Sequence, residues 1–187
     1  MMRQDPDIIL VGEIRDQDTA EMAFRAAMTG HQVYSTLHTN SAVGAIPRLL
    51  DIGIVPDVMS GNIIGVVAQR LVRRLCRTCR QSYDPDAKER RLLSLSPTEP
   101  TALYRAVGCE QCDYQGYRGR QSIIEILKID GGLDELIARR ATAREILTSA
   151  RSKGFRTLAD DGVRMVRAGA TSLDELMRVV DLTDRMA

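Results

Sequence analysis

Four cysteines form the most specific pattern in the sequence. Cys76-x-x-Cys79 and Cys109-x-x-Cys112 are two pairs with the same spacing, and each pair places two thiolates on one turn. Two such pairs make a closed tetrahedral set of sulfur ligands, which is typical of a structural zinc site. The simpler alternative is four free thiols. A closed site leaves no open coordination position, so the pattern predicts a metal with a structural role.

A second pair of reactive residues follows two predicted strands. The stretch DPDIILVGEIRD (5–16) is an apolar run that ends in Glu13, and QVYSTLH (32–38) ends in His38. Ligands of open α/β sheets bind at the carboxyl ends of strands, so the two side chains meet if the strands are neighbours. A glutamate there can polarise water, and an imidazole can stabilise phosphate charge. The alternative is a solvated turn for Glu13 and a strand-end hydrogen bond for His38.

A phosphate-binding loop is missing from the 187 residues. Such a loop has the pattern G-x-x-x-x-G-K-[ST], and none of the three lysines (Lys88, Lys128 and Lys153) follows a glycine. The sequence therefore carries half of a phosphate-transfer site.

The composition restricts the class of protein. A length of 187 residues fits one or two domains, and a hydrophobic share of 44% excludes wholesale disorder. The net charge of +1 and the 4% aromatic content argue against a nucleic-acid partner. The longest apolar run, IIGVVA at 63–68, is too short to span a bilayer. We therefore expect a soluble protein of the reducing cytoplasm, where cysteines bind metal more often than they form disulfides.

The first forty residues predict a parallel β-α-β unit. Residues 7–12 have an apolar run without alternation, which predicts a strand buried on both faces. A capping box at Asp18 and Glu21 begins a helix, and Gly30 ends it before the strand at 32–38. The residues predicted to form the buried face of this helix have helical spacing: Ala20, Ala23, Phe24, Ala27 and Met28.

The remaining elements are predicted from the same signals. A helix begins near Asn40 or Ser41 and either kinks or restarts at Pro47. Residues 55–68 also have a helical pattern. The polar stretch 76–128 is interpreted as an insertion with a short helix and a final strand, and a helical region follows it. The predicted helices are 86–94, 133–140, 142–152, 157–168 and 173–180, the last with a capping box at Ser172 and Glu175.

Arginines are concentrated near both candidate sites. Arg3 and Arg15 flank the strand that ends in Glu13. A second group lies in RLVRRLCRTCR and consists of Arg70, Arg73, Arg74, Arg77 and Arg80. Such a run is usually a solvated face; the alternative is a contact with phosphate or with another subunit.

With these motifs in place, the chain resembles the ATPases that drive type II secretion and type IV pilus assembly. The resemblance covers essentially the whole chain. RQDPDIILVGEIRD (3–16) is similar to the Walker B segment of that family, and TGHQVYSTLHTNSAVGAIPRL (29–49) to its histidine box. The tetracysteine module of the family is similar to AQRLVRRLC (68–76) and GCEQCDYQGYRGRQSIIEIL (108–127). Its C-terminal end is similar to ADDGVRMVRAGATSLDELMRV (159–179).

The resemblance implies an α/β fold with three parts. These are part of a RecA-like P-loop NTPase core at 1–75, a zinc-binding subdomain at 76–128 and a helical C-terminal subdomain at 129–187. It places the phosphate loop upstream of Met1, which makes the chain the C-terminal portion of a longer protein and leaves it inactive alone. Met1 and Met2 are then internal residues of that protein or an artificial start.

The resemblance also implies roles for residues at the nucleotide. Glu13 organises the attacking water and the magnesium shell, His38 faces the γ-phosphate, and His31 supports it. Arg3 and Arg15 lie near the site. The four cysteines hold structural Zn²⁺, whereas ATP and Mg²⁺ bind the longer protein.

The family further implies a homo-hexamer on the cytoplasmic side of the bacterial inner membrane, bound to membrane platform proteins and not to nucleic acid. The cysteine module disfavours the pilus-retraction branch, and type II secretion is weakly favoured over pilus assembly. A different class remains open: a zinc-dependent module that binds protein or nucleic acid without catalysis.

Overall fold

The computed structural model describes residues 6–185, except for the side chain of Asp184. Arg3 lies outside the described residues. The chain forms two compact units, each built from two segments. Unit 1 comprises residues up to Ala68 together with Ile126–Phe155, and unit 2 comprises Gln69–Glu125 and the residues from Arg156 onward. The two units are defined by contacts in space. The division into three parts at 1–75, 76–128 and 129–187 stays a prediction.

The elements alternate between strands and helices in the first half of the chain and are mainly helical at the end. The first half contains β1 (Ile8–Val11), α1 (Gln17–Met28), β2 (Gln32–Ser35), α2 (Ala45–Ile52), α3 (Pro56–Met59), β3 (Gly65–Leu75) and β4 (Gln81–Tyr83). The second half contains α4 (Ala87–Leu92), β5 (Leu103–Arg105), β6 (Tyr117–Lys128), α5 (Gly131–Ala138), α6 (Ala143–Ser152), α7 (Leu158–Arg167) and α8 (Leu173–Val179). This composition confirms a mixed α/β fold. Within residues 6–185, no helix is both long and apolar enough to cross a bilayer.

The predicted β-α-β unit is confirmed. Strands β1 and β2 are parallel, with Ile8 opposite Gln32 and Val11 opposite Ser35. The expectation that β1 is buried on both faces is wrong, because Leu10 is 78% exposed. The reason is that β1 and β2 form a sheet of only two strands in the described part of the chain. The prediction of a second strand to residue 38 was also too long, since β2 ends at Ser35.

Helix α1 begins at a different cap from the predicted one. Asp16 is the N-cap, and its carboxylate accepts a hydrogen bond from Thr19 N at 2.8 Å. The predicted capping box at Asp18 and Glu21 is therefore wrong, and Glu21 instead accepts from Arg25 on the next turn. Three residues of the predicted buried face are confirmed, namely Ala20, Ala23 and Phe24. Ala26 is buried as well, whereas Ala27 is half-buried and Met28 exposed. The predicted stop is confirmed: the helix ends before Gly30, whose φ is +94°.

Two predictions for residues 40–68 were wrong. Helix α2 begins at Ala45 and not near residue 40, so Pro47 lies in the first turn, where its missing N–H has no helical partner to lose. Residues 55–68 are not one helix: α3 is a single turn, and β3 begins at Gly65. The β-branched Val66 and Val67 favour extended backbone, and the buried Ala68 and Val72 alternate with the exposed Val67, Gln69 and Leu71, as in a strand.

Unit 2 contains the predicted short helix α4 and a small antiparallel pair, β4 with β5. Asp86 and Glu89 cap α4 reciprocally. Helices α7 and α8 pack closely, since a Cβ at Gly162 would lie 2.2 Å from Leu176 Cδ1. The four C-terminal helices are confirmed with small shifts at their ends. Only half of the capping box predicted at Ser172 forms, because its hydroxyl accepts from Glu175 N whereas the Glu175 carboxylate binds elsewhere.

Candidate functional site

The four cysteines of unit 2 form a cluster suited to a tetrahedral metal. Their sulfur atoms all lie within 4.8 Å of one another. The Sγ–Sγ distances are 3.9 Å between Cys76 and Cys109, and 3.8 Å from Cys112 to both Cys79 and Cys109. With Zn–S bonds of about 2.3 Å, a regular tetrahedron has S–S edges of about 3.8 Å. The spacing of the donors therefore fits Zn²⁺, and it is far too long for a disulfide bond.

Backbone N–H groups point at the sulfur atoms. Gly108 N donates to Cys79 Sγ at 3.3 Å, and both Cys109 N and Gly116 N donate to Cys112 Sγ at 3.2 Å. Such bonds stabilise thiolates, which are the form that binds a metal. The N–H of Thr78 is the main cause that lowers the pKa of Cys76 to about 7, whereas burial is the main cause that raises the pKa of Cys79 and of Cys109. The donor set and its hydrogen bonds thus fit a closed four-thiolate zinc site.

Two tight turns bring the cysteine pairs together. The first pair follows β3, where Arg80 N closes a turn on Cys76 O, and the second lies on a short 3₁₀ turn at Glu110–Cys112. Cys76 N donates to Gly116 O, which ties the two turns to each other. Gly108 has a φ of +118°, and a Cβ there would lie 2.5 Å from Tyr114 O. The need for glycine at position 108 was not predicted from the sequence. A glycine immediately before a cysteine pair could have indicated it.

Glu13 and His38 meet beyond the carboxyl ends of β1 and β2. His38 Nε2 lies 3.1 Å from Glu13 Oε2. Arg15 Nε contacts the same oxygen at 2.6 Å. The Arg15 guanidinium is the main cause that lowers the pKa of Glu13, with a smaller contribution from His38. An ionised carboxylate beside an imidazole and a guanidinium can accept a proton from water, and the guanidinium and an imidazole N–H can stabilise phosphate charge. The catalytic roles of these residues stay predictions.

Hydrogen bonds join the loop that follows β1 to the loop that follows β2. Ile14 N donates to Thr36 O at 2.9 Å, which extends the parallel pairing past the end of the sheet. The Thr36 hydroxyl donates to Gly12 O at 2.8 Å. Both contacts lie next to Glu13 in the sequence. The pairing explains why two side chains that are 25 residues apart converge.

His31 is not brought to this pair. His31 precedes β2, whereas Glu13 follows β1. Because the strands are parallel, the two residues lie at opposite ends of the strand pair. Its Nδ1 lies 3.0 Å from Thr29 Oγ1 and 3.1 Å from Ala26 O, at the end of α1. Its assignment as a neighbour of the nucleotide remains a prediction, as does that of Arg3.

Two arginines of the run at 70–80 serve contacts inside unit 2. Arg73 binds the buried carboxylate of Glu175 and lies 4.1 Å from the Tyr117 ring centroid. Arg80 donates to Gly169 O and lies over the ring of Tyr104. A solvated face was the simpler interpretation, and it missed these contacts because the hydrogen-bond partners, Glu175 and Gly169, are 102 and 89 residues away in the sequence.

Comparison with known proteins defines the family. The family model described as "Type II/IV secretion system protein" matches residues 1–178. The chain therefore belongs to the type II/IV secretion system protein family.

Named relatives cover both pathways of the family. The chain is 49% identical over 179 residues to the type II secretion system ATPase E of Vibrio cholerae, covering 96% of this chain and 35% of that protein. It is 47% identical over 178 residues to the type IV pilus assembly ATPase PilB of Thermus thermophilus, covering 94% of this chain and 20% of that protein. The chain thus spans about a third or less of the length of these relatives.

Solved structures show a similar fold. The ATPase DotB of Legionella pneumophila has a TM-score of 0.61 at 22% identity, with 95% of this chain and 39% of that one covered. DotB of Yersinia pseudotuberculosis has a TM-score of 0.63 at 19% identity, with 97% and 39% covered. At this level of identity the likeness concerns the fold.

Proposed function

We propose that the protein acts as a motor ATPase that hydrolyses ATP to drive type II protein secretion. The observation that carries the proposal is the contact between Glu13 and His38 at the carboxyl edge of a parallel strand pair, in a chain of this family. The names of the relatives support ATP hydrolysis. The relatives named for secretion and for pilus assembly have similar identities to this chain, so the choice of secretion rests only on the weak preference drawn from the sequence.

Within this proposal each residue has a defined task. Glu13, which is ionised at neutral pH, orients the attacking water and accepts a proton from it. His38 donates a hydrogen bond toward developing phosphate charge. Arg15 pairs with Glu13 at rest, and its largely exposed guanidinium is accessible to an entering phosphate. The bound Mg²⁺ supplies charge neutralisation of the phosphates.

The residues present fit one side of an ATP–Mg²⁺ site. A carboxylate, an imidazole and a guanidinium converge, but the 187-residue sequence has no glycine-lysine loop to cradle the phosphates. We assign that loop to the rest of a longer chain, which accords with the share of the relatives that this chain covers. The β1-α1-β2 unit then belongs to a RecA-like core, an assignment that the fold similarity to DotB supports.

The cysteine cluster has a separate, structural task. Four thiolates fill all positions of a tetrahedral Zn²⁺, so no position remains for water or substrate. Ligation holds the turns after β3 and before β6 together. We propose that this module stabilises unit 2 and takes no part in the chemistry.

The proposal extends to the assembly. We propose a homo-hexamer at the cytoplasmic face of the bacterial inner membrane, where it contacts membrane platform proteins and not nucleic acid. Support for the assembly is the family membership alone.

The test is phosphate release by the full-length protein with ATP and Mg²⁺. Wild-type protein should hydrolyse ATP, and Glu13→Gln should not. Glu135→Gln makes the same chemical change on an exposed face of α5, and it should retain wild-type activity. Full-length protein that binds zinc but hydrolyses no nucleotide would contradict the proposal and favour a binding module.

A further inference from the structure

Thr36 makes two hydrogen bonds across the end of the parallel sheet, and both flank Glu13. Its carbonyl oxygen accepts from Ile14 N at 2.9 Å, and its hydroxyl donates to Gly12 O at 2.8 Å. Thr36 itself lies one residue past β2 and two residues before His38. The residue therefore contacts the backbone on both sides of Glu13 from the strand that leads to His38.

These bonds matter most at Gly12, because no side chain packs against the backbone there. A Cβ placed on Gly12 would meet nothing within 4 Å. Glycine also has the widest backbone freedom of any residue. Without a restraint at Gly12, the peptide before Glu13 can rotate and carry the carboxylate away from His38. The Thr36 hydroxyl supplies that restraint at the glycine carbonyl.

The hydroxyl can be separated from the backbone bond. The bond from Ile14 N uses the Thr36 carbonyl oxygen, so it is retained when only the side chain of residue 36 is replaced. The bond to Gly12 O uses the side chain, and Thr36 is exposed, so its hydroxyl contributes little to a core. Because threonine is β-branched, its χ1 is stiff and the hydroxyl is held in place.

We infer that Thr36 is a positioning residue, whose hydroxyl fixes Gly12 so that the Glu13 carboxylate stays aligned with His38 and the attacking water. This inference rests on the proposed ATPase function. It concerns alignment for the chemical step and not nucleotide affinity, which in phosphate-loop enzymes comes mainly from the loop amides and lysine.

The experiment measures kcat and KM for ATP in the full-length protein carrying Thr36→Val. Valine has nearly the same shape and lacks the hydroxyl. We expect kcat to fall about tenfold, which corresponds to about 1.4 kcal/mol in the barrier, and KM to change less than about twofold. Thr36→Ser retains the hydroxyl and should restore most of the rate. Thr36→Ala serves as a second hydroxyl-free variant if the valine variant does not fold.

Thr148→Val is the matched control. Thr148 is also exposed, and its hydroxyl also donates to a backbone carbonyl at 2.8 Å, that of Arg144 within α6. This variant should keep wild-type kcat and KM. A parallel fall in both Thr36→Val and Thr148→Val would indicate general destabilisation and overturn the inference.

Two outcomes separate the inference from the function on which it rests. If wild type is active and Glu13→Gln is inactive but Thr36→Val equals wild type, the positioning role is wrong and the function stands. If wild type hydrolyses no ATP, both are wrong. A loss in Thr36→Val that serine does not restore, or that affects KM alone, also overturns the positioning role.

Discussion

Arg73 and Glu175 form an ion pair in which two guanidinium nitrogens donate to one carboxylate oxygen, although the residues are 102 positions apart in the sequence. Arg73 Nε and Nη2 donate to Glu175 Oε2 at 2.8 and 2.6 Å, and Arg73 N donates to Oε1 at 3.0 Å. Arg178 contacts the same carboxylate, whose side chain is 0% exposed. The pair ties α8 to β3 within unit 2.

This pair predicts acid sensitivity of unit 2. Burial alone would raise the pKa of Glu175, but the bonds from Arg178 and Arg73 outweigh it and lower the pKa from 4.5 to about 2. A carboxyl with a lowered folded-state pKa stabilises above its unfolded pKa and loses that contribution as the pH falls through the folded value. We expect a loss of about 3 kcal/mol in the free energy of unfolding between pH 5 and about 2, measured by urea denaturation.

Variants assign this loss to Glu175. Glu175→Gln leaves two arginines without their carboxylate, which should cost about 3 kcal/mol or more at pH 7 and flatten the acid dependence. Asp174→Asn removes the neighbouring exposed acid of α8 and should change stability by well under about 1 kcal/mol. An unchanged acid profile in Glu175→Gln would show that another carboxylate is responsible.

Local patterns predicted most of the elements. Capping residues and helical spacing located α4 to α8, and the apolar runs located β1 and β2. The prediction failed at 55–68, where apolar residues fit both a helix and a strand, and only pairing of β3 with β6 decides between them. The Arg73–Glu175 pair could not be predicted for the same reason: its energy depends on a partner that no local signal identifies.

The candidate site was predicted in part. The convergence of Glu13 and His38 follows from one rule, that parallel strands end at the same edge of a sheet. By the same rule His31, which precedes its strand, lies away from this pair, and its role near the nucleotide stays a prediction. The cysteine spacing predicted the ligand set, whereas the N–H groups aimed at sulfur depend on turn geometry and were not predicted.

Zinc content and its removal test the cysteine cluster. Protein purified without chelator should contain close to one Zn²⁺ per chain by elemental analysis. Because ligation energy is folding energy in such modules, removal of the metal should first loosen residues 76–128, as measured by amide hydrogen exchange. Cys112→Ser should have the same effect without chelator. An intact pattern of exchange with free thiols and no metal would contradict a structural zinc.

Substitutions at Glu13 and His38 should separate chemistry from binding in the full-length protein. Glu13→Gln should lower kcat about 10³-fold and leave nucleotide affinity largely intact, because the carboxylate acts on water and on the shell of the metal. His38→Ala should lower kcat less, by about 10²-fold, since it removes one hydrogen bond to a charged oxygen. Steady-state kinetics and binding of a fluorescent ADP analogue measure the two effects, and wild-type turnover in Glu13→Gln would remove this residue from the mechanism.

The 187 residues alone should fold but neither hydrolyse ATP nor bind it tightly. Most of the affinity for a triphosphate comes from the amides and lysine of a phosphate loop, and the sequence has no such motif. The Glu13 carboxylate is ionised at neutral pH and offsets the positive charge of Arg15. Arg15 and His38 contact that same carboxylate, so little positive charge remains for phosphate.

Titration calorimetry with ATP and Mg²⁺ measures this directly, alongside a phosphate-release assay with Glu13→Gln as the blank. We expect no saturable binding at micromolar concentration and no release above the blank. We also expect self-association in sedimentation, because Ile8 and Leu10 are 60% and 78% exposed on a two-stranded sheet whose edges can pair with another copy. Replacing Leu10 by Lys should reduce that association without restoring nucleotide binding. Saturable micromolar binding by the wild-type chain would mean that its own residues form a complete phosphate site.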